Sequence, residues 1–183
     1  MPQLRDMAQD RLIIIDGYNL IHRTPQLRPG SDRTLRESRD KLLNLLTWMM
    51  GADSARFIVV FDGESGSGGR DGSIPGGRID VRWSRPPENA DLVIRRIVEE
   101  QMDKVDRLTV VTADLEVARH ARAMGADISL SDLFLASALG AAKDAATAEV
   151  EKPKTMSKAE LEQWAELFRS RPKAPDDEDG HLH

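Results

Sequence analysis

The 183-residue chain contains no cysteine. That absence excludes a disulfide framework, a thiolate nucleophile and any zinc site built on Cys ligands. There is no run of about 18 apolar residues, which excludes a membrane-spanning helix. The opening MPQLRDMAQD carries Asp6 and Asp10 and no apolar stretch, so no secretory signal is expected there. Positive charge is in deficit. The formal net charge of −5 argues against a protein that coats nucleic acid by charge alone. No G-x-x-x-x-G-K-[ST] phosphate loop, no Ser/His/Asp nucleophilic order and no internal repeat is evident. What is present, 40% hydrophobic residues, is enough for a true core. The length suits one domain, and a soluble, cytoplasmic protein is expected.

The charge is unevenly placed. Between His22 and Lys41 six cations face three acids, leaving +3, whereas the segment from Lys143 onward has seven cations against ten acids, leaving −3. A local basic surface on an acidic chain is compatible with holding one strand of RNA, although a solvated helix face gives the same count.

Short apolar runs punctuate the chain. Leu12–Ile15 and Arg56–Phe61 are β-branched, unbroken and each followed by Asp-Gly, at Asp16-Gly17 and Asp62-Gly63. Leu108–Val111 is a third such run, followed by Thr112-Ala113-Asp114. Continuous rather than alternating apolar character is what a strand buried on both faces requires. Arg78–Trp83 alternates and suits an edge or half-exposed strand, and Asp127–Leu130 suits a last short one. Helical periodicity falls between them: Thr34–Met50 with a Thr34…Glu37 capping box, Asn89–Met102, Asp114–Met124 closed by Gly125, and Ser131–Leu139. Strands alternating with helices predict an α/β domain over residues 11–140 with a mainly parallel sheet. Residues 1–10 form a flexible N-terminus in this reading. Glu64–Gly77 is a Gly/Ser-rich connection, expected to be mobile. Residues 141–183 form an extension with one amphipathic helix at 157–169, which either docks on the domain or meets a partner, and a disordered acidic tail.

The acids carry the chemistry. Asp16, Asp62 and Asp114 follow buried strands directly or within three residues, and Asp91 lies in the first turn expected after Arg78–Trp83. In an open parallel sheet the carboxyl ends of the strands are where ligands bind, so these carboxylates converge if the strands are neighbours. Clustered carboxylates repel unless a cation sits among them, and no Lys or Arg adjoins Asp16, Asp91 or Asp114 in sequence. A divalent ion is the natural partner. All-oxygen ligation selects Mg²⁺ or Mn²⁺, and the associated chemistry is water activation for phosphodiester hydrolysis. Glu88, three residues before Asp91, is a further candidate ligand, and Asn19 and Thr112 are candidate hydrogen-bonding partners. Each residue also has a structural reading: an Asx-turn at Asp16, a turn dipeptide at Asp62-Gly63, a helix-dipole partner at Asp91, an N-cap at Asp114 and a loop cap at Asn19.

At these residues the chain resembles a known family. LIIIDGYNLI (Leu12–Ile21), VVFDG (Val59–Gly63), ENADLVI (Glu88–Ile94) and VVTADLEVA (Val110–Ala118), in that order, resemble the YacP-like branch of the NYN domain family, PIN-like ribonucleases. The resemblance covers about residues 11–140 and implies a PIN-like three-layer α/β/α fold with Mg²⁺- or Mn²⁺-dependent endoribonuclease activity. It implies metal ligation by Asp16, Asp91 and Asp114 with Asn19 as polar partner, and Asp62 in the second motif. It also makes mRNA and the ribosome candidate partners. Ala113 departs from the Ser common in the fourth motif, and the loop 64–77 and the chain after 140 look particular to this protein.

The expected protein is therefore a metal-dependent endoribonuclease that hydrolyses RNA, with Arg28, Arg33, Arg36, Arg78, Arg82 and Arg85 on the RNA backbone and Trp83 either in the core or stacked on a base. The main alternative is a non-cutting RNA- or ribosome-binding module of the same fold. A binder has no need to concentrate carboxylates near phosphates. A haloacid-dehalogenase-type phosphatase wants a second Asp two residues after the first, where Tyr18 stands. An adaptor acting through the C-terminal helix is a third alternative.

Overall fold

The structure, a computed structural model, describes residues 10–50, 55–63, 70–74, 76–142 and 157–169. In chain order the elements are β1 (Arg11–Asp16), α1 (Gly17–Arg23), α2 (Leu35–Met50), β2 (Arg56–Phe61), β3 (Gly72–Ser73), β4 (Ile79–Trp83), α3 (Ala90–Gln101), β5 (Arg107–Thr112), α4 (Leu115–Ala123), β6 (Asp127–Leu130), α5 (Ser131–Ala142) and α6 (Lys158–Arg169). The strands form one sheet in the order β3-β4-β2-β1-β5-β6. All pairings are parallel except that of β3 with β4. The chain divides into two units, Met1–Ala148 and Glu149–His183, with α6 in the second. Among the described residues no helix is long and apolar enough to cross a membrane.

The apolar runs lie where a two-faced sheet needs them. Ile13, Ile15, Phe57, Val59 and Phe61 point to one face and pack with Leu20 of α1, Leu42 and Leu46 of α2, and Leu135 of α5. Their alternate neighbours Leu12, Ile14, Ile58 and Val60 are buried on the other face, where α3 lies against β1 and β2 and α4 against β5 and β6. The result is three layers, α/β/α.

The predicted caps are made. Thr34 Oγ1 accepts from the Glu37 N–H at 3.2 Å, and Glu37 Oε2 accepts from the Thr34 N–H at 2.7 Å. The Thr34 N–H and hydroxyl, both donating to the Glu37 carboxylate, hold it below its ordinary value. Gly125 closes α4 with φ +102°.

Two elements differ from expectation. Asp16-Gly17 is not a turn, because α1 begins at Gly17 directly off the strand. A seven-residue helix opened by Gly has too few apolar positions to announce a period. Within the Gly-rich connection, Gly72-Ser73 forms β3, antiparallel to β4, so this stretch is partly ordered on the sheet edge. Residues 64–69 and 75 of that connection, residues 1–9 of the expected flexible N-terminus and the expected disordered acidic tail lie outside the described residues.

Candidate active site

The strand order sets the site. From β1 the chain runs outward through β2 to β4, then returns to place β5 on the other side of β1. The β1/β5 junction is therefore the switch point, and a crevice opens there beyond the carboxyl ends of the strands. Asp16 ends β1, and Asp114 follows β5 by two residues. The crossover from β4 to β5 runs through α3, whose first turn holds Asp91.

Asp16 is buried, with 7% exposure. Burial first, then the charges of Asp91 and Asp114, push its carboxyl up to about 7. The Asn19 backbone N–H and the Thr112 hydroxyl pull the other way, the latter donating at 3.4 Å, but neither is strong enough to win. Asp91 is raised as well, by burial and then by the neighbouring Asp114 carboxylate, and more weakly by Asp62. One cation does approach through space: Arg95 favours the charged form of Asp91, while also lying 3.9 Å from Glu116. It does not offset the accumulated negative charge. Asp16, Asp91 and Asp114 are thus electrostatically one group, with Asp62 at its margin.

Asp114 also meets its structural reading. Its Oδ1 accepts from the N–H groups of Glu116 (2.9 Å) and Val117 (3.3 Å), capping α4, which fixes the carboxylate at the crevice. Asp62 accepts from the Ser84 hydroxyl at 3.0 Å, and that hydroxyl accepts from the Gly63 N–H at 3.0 Å, tying the ends of β2 and β4 together. Glu88 is drawn off to Arg96, 2.6 Å away. Among the described residues, no three of His, Asp and Glu stand close enough together to hold a metal ion already. The groups that could hold one as side chains draw in are Asp16, Asp91 and Asp114, an all-oxygen set suited to a hard divalent cation.

Asn19 is a positioning residue. Its Oδ1 accepts from the Ala113 N–H and from the Ser131 hydroxyl, each at 2.8 Å, and so joins α1 to the β5–α4 turn and to α5. The turn is further held by the Asp114 N–H donating to Thr112 Oγ1 at 3.0 Å. Asn19→Ala leaves both donors without their acceptor. A loss of about 1–3 kcal/mol in unfolding free energy is expected from chemical denaturation, with Asn19→Asp losing less because the acceptor is kept.

The arginines scatter. Arg28 donates to the His22 carbonyl at 2.6 Å and Arg33 to the Gln26 carbonyl at 2.5 Å, so both brace the α1–α2 connection. Arg36, Arg82 and Arg85 are exposed, the last two at the carboxyl end of β4. Arg78 precedes β4 and lies at the opposite sheet edge from the carboxylates. Trp83 is half-buried, packed on Phe61 with ring centres 5.2 Å apart, with Arg39 5.0 Å over its ring.

Sequence reasoning passed over Ser131, Ser84 and Asp132. All three follow strands at the same sheet edge, which is the signal that could have found them. Asp132 is a first-turn residue of α5 with a side chain 8% exposed; its buried Oδ2 makes no hydrogen bond and has Arg23 at 4.0 Å.

A parallel α/β/α sheet with carboxylates gathered beyond its switch point is the architecture of a PIN-like, nuclease-type domain. The sequence model of the YacP-like NYN domain matches residues 13–169, and the chain belongs to that family. The match extends past residue 140 through α6, so this part of the extension is not particular to this protein. The chain is 27% identical over 103 residues to a protein of Bacillus subtilis (strain 168) described as uncharacterized protein YacP. That stretch is 56% of this chain and spans 60% of the length of the relative. A crystal structure of a mutant of Rae1 (YacP) from Bacillus subtilis superposes with a TM-score of 0.60 at 20% identity, covering 87% of this chain and 98% of that one. A second crystal structure of Rae1 (YacP) gives 0.55 at 20% identity, covering 86% and 90%. The likeness to these structures establishes the fold.

Proposed function

We propose that this protein is a cytoplasmic, metal-dependent endoribonuclease that hydrolyses phosphodiester bonds of RNA, with mRNA on the ribosome as a candidate substrate. The observation that carries the reading is the buried Asp16 carboxyl, pushed up to about 7 and facing Asp91 and Asp114 at the switch point. A fold keeps a carboxylate in such surroundings at a cost to stability, and a bound cation turns the cost into affinity. Asp16, Asp91 and Asp114 would hold Mg²⁺ or Mn²⁺. Such an ion supplies a water of lowered pKa and neutralises charge developing on the phosphoryl oxygens.

The chain's own residues do the rest. Thr112 and the Asn19 backbone N–H orient Asp16, and the Asn19 side chain fixes the turn that carries Asp114. Arg82 and Arg85, exposed at the same sheet edge, are placed to meet backbone phosphates. Membership of the NYN family supports RNA as the substrate class. The test is cleavage of a labelled structured RNA and of a translated mRNA in Mn²⁺ or Mg²⁺ against EDTA. Cutting that needs the metal is expected. Binding of RNA or ribosomes without cutting, in either metal, would replace this reading with the binding module.

A further inference from the structure

A groove of about 320 Å³ opens between α2 and the β3–β4 edge of the sheet, outside the carboxylate crevice. Its walls include Arg36, Arg39, Arg70, Asp40, Phe61 and Trp83. We infer that this groove is a nucleotide subsite, taking one base and its phosphate from single-stranded RNA flanking the bond to be cut. The inference rests on the endoribonuclease reading and names the part of the substrate that this surface holds.

Three observations carry it. The first is charge. Three guanidinium groups against one carboxylate leave the groove at +2 in a chain whose net charge is −5. An anionic ligand fits, and planar guanidinium groups suit phosphate oxygens.

The second is the aromatic wall. Tyr18, Phe61 and Trp83 pack as a chain, with ring centres 5.0 Å apart for Tyr18–Phe61 and 5.2 Å for Phe61–Trp83. Arg39 lies 5.0 Å over the Trp83 ring and donates to the Tyr18 hydroxyl at 2.8 Å, so its guanidinium is fixed against the indole where both line the groove. Phe61 is fully buried beneath, whereas Trp83 is half-buried and lines the groove. Stacking surfaces interleaved with cations are how proteins hold single-stranded RNA, whose bases are free to unstack. A volume of this size, at the lower end for small-ligand sites, suits one nucleotide rather than a duplex.

The third is place. Trp83 ends β4 and Phe61 ends β2, at the same sheet edge as Asp16 at the end of β1. β4 and β1 are separated only by β2, so the strand ends that carry Trp83 and Asp16 are two strand spacings apart, roughly 10 Å. An RNA strand that crosses the carboxyl ends of β4, β2 and β1 would pass from the groove, on the α2 face, to the carboxylates, on the α3 face.

The test uses the full chain in EDTA, where binding is read without cleavage, and two labelled single-stranded RNAs of equal length, one normal and one abasic. Wild type is expected to bind the normal RNA about tenfold more tightly than the abasic one, the discrimination of a single stacked base. Trp83→Leu is expected to erase that preference. The double variant Arg36→Glu/Arg70→Glu, at two exposed positions that leave the core intact, is expected to weaken both RNAs about tenfold and to flatten the salt dependence. If Trp83→Leu does not fold, the abasic comparison and the arginine variant decide between them. Equal binding of the two RNAs by wild type, or wild-type binding by the arginine variant, would overturn the subsite. Cleavage by wild type in Mn²⁺ is scored separately. Cutting with unaltered binding in the arginine variant sinks the subsite alone, and base-dependent binding without cutting sinks the nuclease reading alone.

Discussion

Asp16→Asn is expected to lower metal-dependent RNA cleavage by roughly a thousandfold or more while raising the melting temperature in EDTA. The two effects have one cause. At pH 8 the Asp16 carboxylate is ionised against a pKa of about 7, buried and facing Asp91 and Asp114. The unfolded chain loses that proton near pH 4. Between pH 4 and 7 the folded state therefore holds more protons than the unfolded one, and stability falls as pH rises across that window. Asn cannot ionise, keeps the shape, and still offers an oxygen to Thr112. The variant should gain a few kcal/mol at pH 8, roughly 5–10 °C for a chain of this length, and little at pH 4. Loss of a ligand that positions the ion removes several kcal/mol of transition-state stabilisation, which sets the activity loss. Melting curves at the two pH values and a cleavage time course check both halves. A variant that is destabilised at pH 8 would show that Asp16 is a structural carboxylate.

Gly63→Ala is expected to be the most damaging small substitution among the described glycines, lowering stability by about 2–3 kcal/mol or more. The reason is a close approach, since Gly63 has no positive φ. A Cβ there would sit on the Ser84 carbonyl oxygen, and a backbone atom cannot rotate away. Relief would require parting β2 from β4 where the Gly63 N–H, the Ser84 hydroxyl and Asp62 close the edge. Gly72→Ala, where a Cβ meets only open space, is the matched control. Urea unfolding of both variants checks the prediction, and equal midpoints would contradict it.

These two positions show how far the sequence could be read. The repeated Asp-Gly after an apolar run located the carboxyl ends of two parallel strands, because unbroken β-branched runs have few alternatives to a doubly buried parallel strand. The turn reading of Asp16-Gly17 did not survive, because Gly17 opens a helix beneath the Phe61 ring, and Gly63 makes way for Ser84. Such close approaches come from the partner strand, which the local sequence does not contain. The grouping of Asp16, Asp91 and Asp114 was legible from strand ends and the expectation of parallel neighbours. The diversion of Glu88 to Arg96, the approach of Arg95 to Asp91 and the bracing role of Arg28 and Arg33 were not. Long cationic side chains settle on whatever acceptor the tertiary fold brings near, so spacing says little about them. The Arg39–Trp83 pair joins residues from α2 and β4 and was invisible for the same reason.

The central claim is that three carboxylates from the end of β1, the start of α3 and the turn after β5 hold a divalent ion. The most direct measurement is a Mn²⁺ titration of the full chain followed by electron paramagnetic resonance. The account predicts saturable binding to wild type, competed by Mg²⁺ and lost in Asp16→Asn and Asp91→Asn. Titrations of wild type and both variants that superimpose without saturating would contradict it.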